Sequence, residues 1–229
     1  MVNSPTKTFS QKVINFFTNL KSPQDLPGNI KVLNPYKDEE VKKIVNDFYN
    51  HFFNDNNERV FILGINPGRF GGGVTGIPFT DPIVLEEYCG IKNSLNKKAE
   101  LSSKFVYSFI NEFGGVKKFY SQFFISAIYP LALLSDGKNY NYYDSKELYQ
   151  HLKQYLISSL QNQINFGARK DIVICLGKKN FSYLNQLNKE INYFENITIL
   201  EHPRFIMQYR FKKKDQYIQK YRDTLSSCY

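Results

Sequence analysis

Val60-Phe61-Ile62-Leu63-Gly64-Ile65 runs without a break into Asn66-Pro67-Gly68-Arg69-Phe70-Gly71-Gly72-Gly73. Six successive residues with no polar member fit a strand covered on both faces, as in a parallel sheet under helices, and not the alternation of a half-exposed strand. The proline and glycines after it end the strand and open a loop. Three more mainly apolar runs follow, 123–128 and 197–200 with one hydroxyl residue each (Ser126, Thr198) and 172–176 with none. Helical spacing fills the intervals. Val41, Ile44, Val45, Phe48 and Phe52 fall on one face, as do Leu148, Leu152, Tyr155, Leu156 and Leu160, and Phe211, Ile218, Tyr221 and Leu225 repeat the spacing near the end. The order predicts a three-layer α/β/α sandwich around a central, mostly parallel four-stranded sheet. Residues 1–229 read as one domain. Residues 1–35 form a helical extension packed on it through Val13, Phe16, Phe17 and Leu20, and Pro23, Pro27 and Pro35 punctuate the chain after this helix.

Hydrophobic residues make up 42% of the 229, enough for a sizeable core and against disorder. With 20 Phe, 17 Tyr and no Trp, aromatic burial falls to Phe, while Tyr suits edges where its hydroxyl finds a partner. Cys89, Cys175 and Cys228 are odd in number and lack metal-site spacing, which points to a reducing compartment and away from a disulfide framework. The first ten residues lack the apolar stretch of a signal peptide, and no run reaches the length of a membrane span. The expectation is a cytoplasmic, monomeric protein of a bacterium, without metal, cofactor or membrane contact. The net charge of +9 favours polyanion partners. Its distribution sharpens that reading, because seven cations stand against two carboxylates between Arg204 and Asp223.

Open parallel sheets bind ligands beyond the carboxyl ends of their strands. The ends of the first, second and fourth apolar runs carry Gly64 to Phe79, Ser126-Ala127-Ile128-Tyr129-Pro130 and Glu201-His202-Pro203-Arg204-Phe205. One crevice should therefore gather an amide and an imidazole. The glycine-rich loop has no Gly-Lys-Ser/Thr and does not fit the dinucleotide fingerprint. Glycines there allow close backbone approach to a ligand, and by composition alone a flexible surface turn is the competing reading.

The stretch Gly64 to Phe79, with its Gly-x-Asn-Pro-Gly start and Thr-Gly-x-Pro-Phe finish, resembles the first motif of the uracil-DNA glycosylase superfamily. It is most similar to the single-strand-selective monofunctional uracil-DNA glycosylases. His202-Pro203 resembles the second motif, and the run through Met207-Gln208-Tyr209-Arg210 resembles a bacterial variant subgroup. The resemblance implies hydrolysis of the N-glycosidic bond of uracil, or another damaged base, in single- or double-stranded DNA, with no metal. Asn66 would hold the attacking water and His202 would donate to the base oxygen. Phe79 would stack on the flipped base, with Gly64, Ile65 and Gly68 lining the base or the water. Better-known relatives read the base edge with an Asn where this chain has Ala127, so backbone, a water, Ser126 or a loop residue such as Asn139 would take over. Arg204 and Phe205 would wedge the duplex. Arg69, Arg210, Lys212, Lys213 and Lys214 would meet phosphates, the lysines reading equally as a solvated helix face. His51 and His151, set in helical patterns, read as structural. Two other functions remain open on the sequence alone: a non-catalytic nucleic-acid-binding module with a base-sensing pocket, and a nucleoside or nucleotide hydrolase.

Overall fold

The computed structural model describes residues 6–229; the first five residues of the expected extension lie outside it. Helix α1 (Phe9–Thr18) starts on a reciprocal cap, Thr8 accepting from the Gln11 N–H while the Gln11 side chain accepts from the Thr8 N–H. Strand β1 (Ile30–Leu33) and a single turn at Pro35–Lys37 lead to α2 (Glu39–Phe53). The Asp38 carboxylate caps α2 at Glu40 and Val41, and Val41, Ile44, Val45 and Phe48 are buried, as their spacing predicts. Then come β2 (Arg59–Gly64), the short helices α3 (Gly72–Thr75) and α4 (Pro82–Glu87), α5 (Leu101–Glu112), α6 (Val116–Gln122) and β3 (Phe123–Ala127). A hairpin, β4 (Ala132–Ser135) and β5 (Lys138–Tyr140), precedes α7 (Lys146–Ile164), β6 (Ala168–Leu176), α8 (Lys178–Ile191) and β7 (Asn196–Leu200). The chain ends with α9 (Pro203–Tyr209), a turn at Phe211–Lys213 and α10 (Lys214–Ser226).

The central sheet has the order β3-β2-β6-β7 with every pair parallel, and helices cover it. The α/β fold with a four-stranded parallel sheet is as expected. The chain leaves β2 to build β3 on one side and β6 on the other, so the strand order reverses at β2, where such sheets open a crevice. Register sets Gly64 beside Ala127 at the end of the sheet.

Beneath the other end of β2 lies a layer of phenylalanines. Phe9, Phe53, Phe61 and Phe124 interlock at ring separations of 4.9–6.2 Å. The guanidinium of Arg59, fully buried, lies 4.7 Å from Phe9 and 4.8 Å from Phe53, and it donates to both Asp55 oxygens and to the Tyr120 carbonyl. Its charge is thereby paired and all its nitrogens are partnered, which burial of a cation requires.

Two features differ from the expectation. β1, β4 and β5 form a second, antiparallel sheet of three strands of four, four and three residues. Such short strands carry too little pattern to separate them from loop. Phe211, expected on the buried face of the last helix, sits in the turn before α10 and is largely exposed.

Candidate active site

The crevice beyond β2 and β3 opens into a pocket of about 730 Å³. Gly64, Ile65, Asn66, Gly68, Arg69, Phe79, Ala127, His202, Arg204 and Phe205 all line it.

Asn66 stands two residues past the end of β2. Its Nδ2 donates to the Tyr140 carbonyl at 3.1 Å, and its Oδ1 accepts from the Tyr142 N–H at 3.3 Å. A carbonyl can only accept and an N–H can only donate, so the amide has one orientation. The segment that grips it is anchored in turn. The Tyr142 hydroxyl donates to Asn180 Oδ1 at 2.9 Å, and Asn180 Nδ2 donates to the Leu63 carbonyl at 3.3 Å. Tyr142 and Asn180 are fully buried. The contacts close a ring from Leu63 through Asn180 and Tyr142 back to Asn66.

Phe79 has φ +54°, a left-handed conformation uncommon outside glycine and of order 1–3 kcal/mol in cost. Thr75 holds it there, its Oγ1 donating to the Thr80 carbonyl at 2.6 Å and accepting from the Ile77 N–H at 3.1 Å. The ring lies on bare Gly64, where an added Cβ would come within 2.9 Å of it. The loop also closes on itself: the Gly73 N–H donates to the Gly68 carbonyl at 2.9 Å, and a Cβ on Gly73 would meet that oxygen at 2.4 Å. Gly64 and Gly73 are thus glycines for close approach.

His202 caps α9. Its Nδ1 accepts from the Arg204 N–H at 3.2 Å, and Pro203 occupies the first helical position, where no N–H is needed. Burial, and then the nearby Arg204 charge, push the imidazole pKa down to about 4. The ring is therefore neutral at pH 7 with Nδ1 occupied as an acceptor, which puts its proton on Nε2. His202 and Phe79 have ring centroids 5.6 Å apart, so the imidazole stands beside the phenyl ring.

Ser126 is not in the pocket. Successive strand residues point to opposite faces, so Ala127 at the pocket and Ser126 cannot both face it. The Ser126 side chain is fully buried and donates to Gln163 on α7. Of the expected phosphate contacts, Arg69 lines the pocket, its guanidinium donating to the Gly137 carbonyl and lying 4.6 Å from the Phe70 ring. Arg210 lies over Phe205 at 5.6 Å. Lys212 and Lys213 stand exposed in the turn before α10, outside the pocket, and Lys214 lines a separate groove. His51 is exposed, and His151 bonds the Gln24 carbonyl through Nε2.

Two polar groups join the site from elsewhere. Asn139 accepts from the Arg69 N–H at 3.1 Å, which turns its Nδ2 toward the open side of Gly68. Glu100, just before α5, lines the same side. Burial and then the neighbouring Asp81 raise its pKa, opposed by Arg204. The Asp81 carboxylate fixes this wall by accepting from the Glu100 N–H at 2.8 Å while capping α4 at Ile83 and Val84. Nothing local in the sequence marks Glu100, since its approach depends on the fold of the intervening chain. Among the described residues no three or more His, Cys, Asp or Glu gather as a metal site.

A glycine-bedded aromatic, a fixed amide and a neutral imidazole thus share one pocket at the carboxyl edge of the parallel sheet. The family model for the Uracil DNA glycosylase superfamily matches residues 51–226, and the chain belongs to that superfamily. The crystal structure of wild-type SMUG2 of Pedobacter heparinus is 43% identical, with a TM-score of 0.93, over 97% of this chain and 99% of that one. No curated protein matches.

Proposed function

We propose that this chain is a monofunctional DNA glycosylase that hydrolyses the bond between deoxyribose C1′ and a damaged base, uracil first, in base-excision repair. The observation that carries the reading is the convergence of Asn66, Phe79 and His202 on one pocket, with the Asn66 amide and the His202 imidazole each oriented by a hydrogen bond and the Phe79 ring bedded on Gly64 before substrate arrives. As the glycosidic bond breaks, positive charge grows on the sugar and negative charge on the base. The base lies against Phe79, and the His202 Nε2–H donates to its carbonyl oxygen as that charge develops. Asn66 Oδ1, with one lone pair on the Tyr142 N–H, has a second for the attacking water. An amide is no base, so it positions the water while the sugar cation draws it in. With Ala127 at the pocket floor, Asn139 and main-chain groups take the discriminating contacts to the base edge. Among the described residues Lys138 is the one lysine lining the pocket, and it stands exposed at the rim instead of in the desolvated surroundings that make an amine nucleophilic.

The test uses uracil-containing single- and double-stranded oligonucleotides, incubated with EDTA and then treated with alkali. Strand scission at the uracil is expected. His202→Ala should lose about 10²–10³ in rate, and Asn66→Ala most of the activity, with DNA binding retained in both. Full activity in both variants would overturn the assigned roles. DNA binding without abasic product would favour a sensing module, cleavage of free deoxyuridine would favour a nucleoside hydrolase, and a borohydride-trapped adduct would contradict monofunctional chemistry. Hypoxanthine, xanthine and 5-hydroxymethyluracil in the same assay define the base range.

A further inference from the structure

Large hydrophobic side chains that stay exposed are concentrated on one face. Among the described residues they are Tyr88, Leu101, Phe205, Tyr209, Phe211 and Tyr229. All but Tyr229 line either the catalytic pocket or a second groove of about 410 Å³. Ala99 belongs to both walls, and α9 is the ridge between them, with Phe205, Gln208 and Tyr209 on the pocket side and Met207 on the groove side. The groove has buried Val84 and Tyr107 at its base and exposed Tyr88 and Phe211 at its mouth, beside Lys104 and Lys214. Of its carboxylates, Asp81 is buried with both oxygens bonded to main-chain N–H groups, which leaves Glu87 against the two lysines.

We propose that this groove is a second nucleobase subsite, receiving the base of a nucleotide near the extruded one on the same, unpaired strand. The subsite rests on the glycosylase reading and extends it to the shape of the substrate. Continuity selects this occupant: a strand that delivers one base into the catalytic pocket and crosses α9 reaches the groove next. Aromatic faces at a groove mouth bind any unpaired base by stacking, and flanking lysines meet the backbone between bases. A base held in a duplex is already paired and stacked, so the subsite acts on unpaired strands and adds little for paired ones.

The test removes the base and the ring separately. Single-stranded uracil oligonucleotides each carry one base-free tetrahydrofuran residue, at positions from three before to three after the target. kcat/KM is measured for the full-length protein and for Tyr88→Ala/Phe211→Ala. Both residues are exposed, and a thermal melt checks that the variant folds. With the unmodified protein, one position is expected to lose about tenfold. The double variant should lose about tenfold on the intact strand, mainly in KM, and nothing further on the oligonucleotide already lacking that base; the duplex substrate should change little. A flat scan, or losses that multiply at every position, overturns the subsite. Binding of the same uracil-containing series to Asn66→Ala, followed by fluorescence anisotropy, separates the two readings. Binding with a position-dependent loss but no cleavage by the unmodified protein keeps the groove and sinks the glycosylase, whereas cleavage with a flat scan sinks the groove alone.

Discussion

Phenylalanine and tyrosine serve opposite ends on two sides of this molecule. Under the start of β2, Phe9, Phe53, Phe61 and Phe124 are interlocked, Phe9 stacked on Phe53 and both edge-on to Phe124, each at most 1% exposed. Around α9, Phe205, Tyr209 and Phe211 stand 40%, 67% and 61% exposed. Rings in the first group have no surface left for a partner, and those in the second have few neighbours to stabilise. On the proposed function, folding energy and recognition are therefore separated in space, and substitutions should separate them too.

The largest effect expected is on the buried side. Phe124→Ala should cost about 3–5 kcal/mol, read from urea denaturation, while the rate per folded molecule stays unchanged. A rate loss at temperatures where the variant remains folded would break the division. Next comes His202, which belongs to both sides because burial sets its protonation. Its folded-state pKa lies at about 4, below the ordinary 6.5. The unfolded chain thus takes up a proton that the native state refuses. Its contribution to stability is constant above pH 6.5 and falls as pH drops from 6.5 toward 4. A urea midpoint that declines through this window in the parent, and less steeply in His202→Gln, is the expected result. The cleavage rate should show no inflection from this imidazole between about pH 5 and 8. The smallest effect sharpens the comparison: Tyr142→Phe deletes one buried hydroxyl that acts through the Asn66 grip. Loss of one such hydrogen bond, about 1 kcal/mol, corresponds to about fivefold in single-turnover rate. It should have no further effect in an Asn66→Ala background. An additive loss there would make Tyr142 a structural residue only.

The parallel sheet was legible in the sequence because strands buried on both faces are written as apolar runs, unbroken at 60–65 and interrupted at 123–128 only by Ser126, whose hydroxyl is bonded to Gln163. The main helices were legible through their spacing, and the pocket through two motifs at strand ends. The antiparallel hairpin was not, because three or four residues carry no period. Ser126 was assigned to the pocket from its neighbourhood alone; the pleat of β3, applied to Ala127 next to it, points it the other way. Asn139 was named as a loop residue able to reach the base edge and it lines the pocket, whereas Glu100 reaches Gly68 only through long-range folding, which no local pattern encodes. Asn180, a buried amide in the first turn of α8, reads in sequence as one asparagine among many.

The grip on Asn66 comes from a carbonyl and an N–H of the segment 140–142, groups that nearly every residue type supplies. Exchanges of residue identity at 140 should leave the contact standing, and at 142 proline alone would abolish it outright by removing the N–H. Gain or loss of a single residue in that segment is another matter, since it would move the Tyr140 carbonyl and the Tyr142 N–H, now spaced to meet the two ends of one amide, out of reach of Asn66. In descendants of this chain, position 140 should vary in spelling while the segment holds its length.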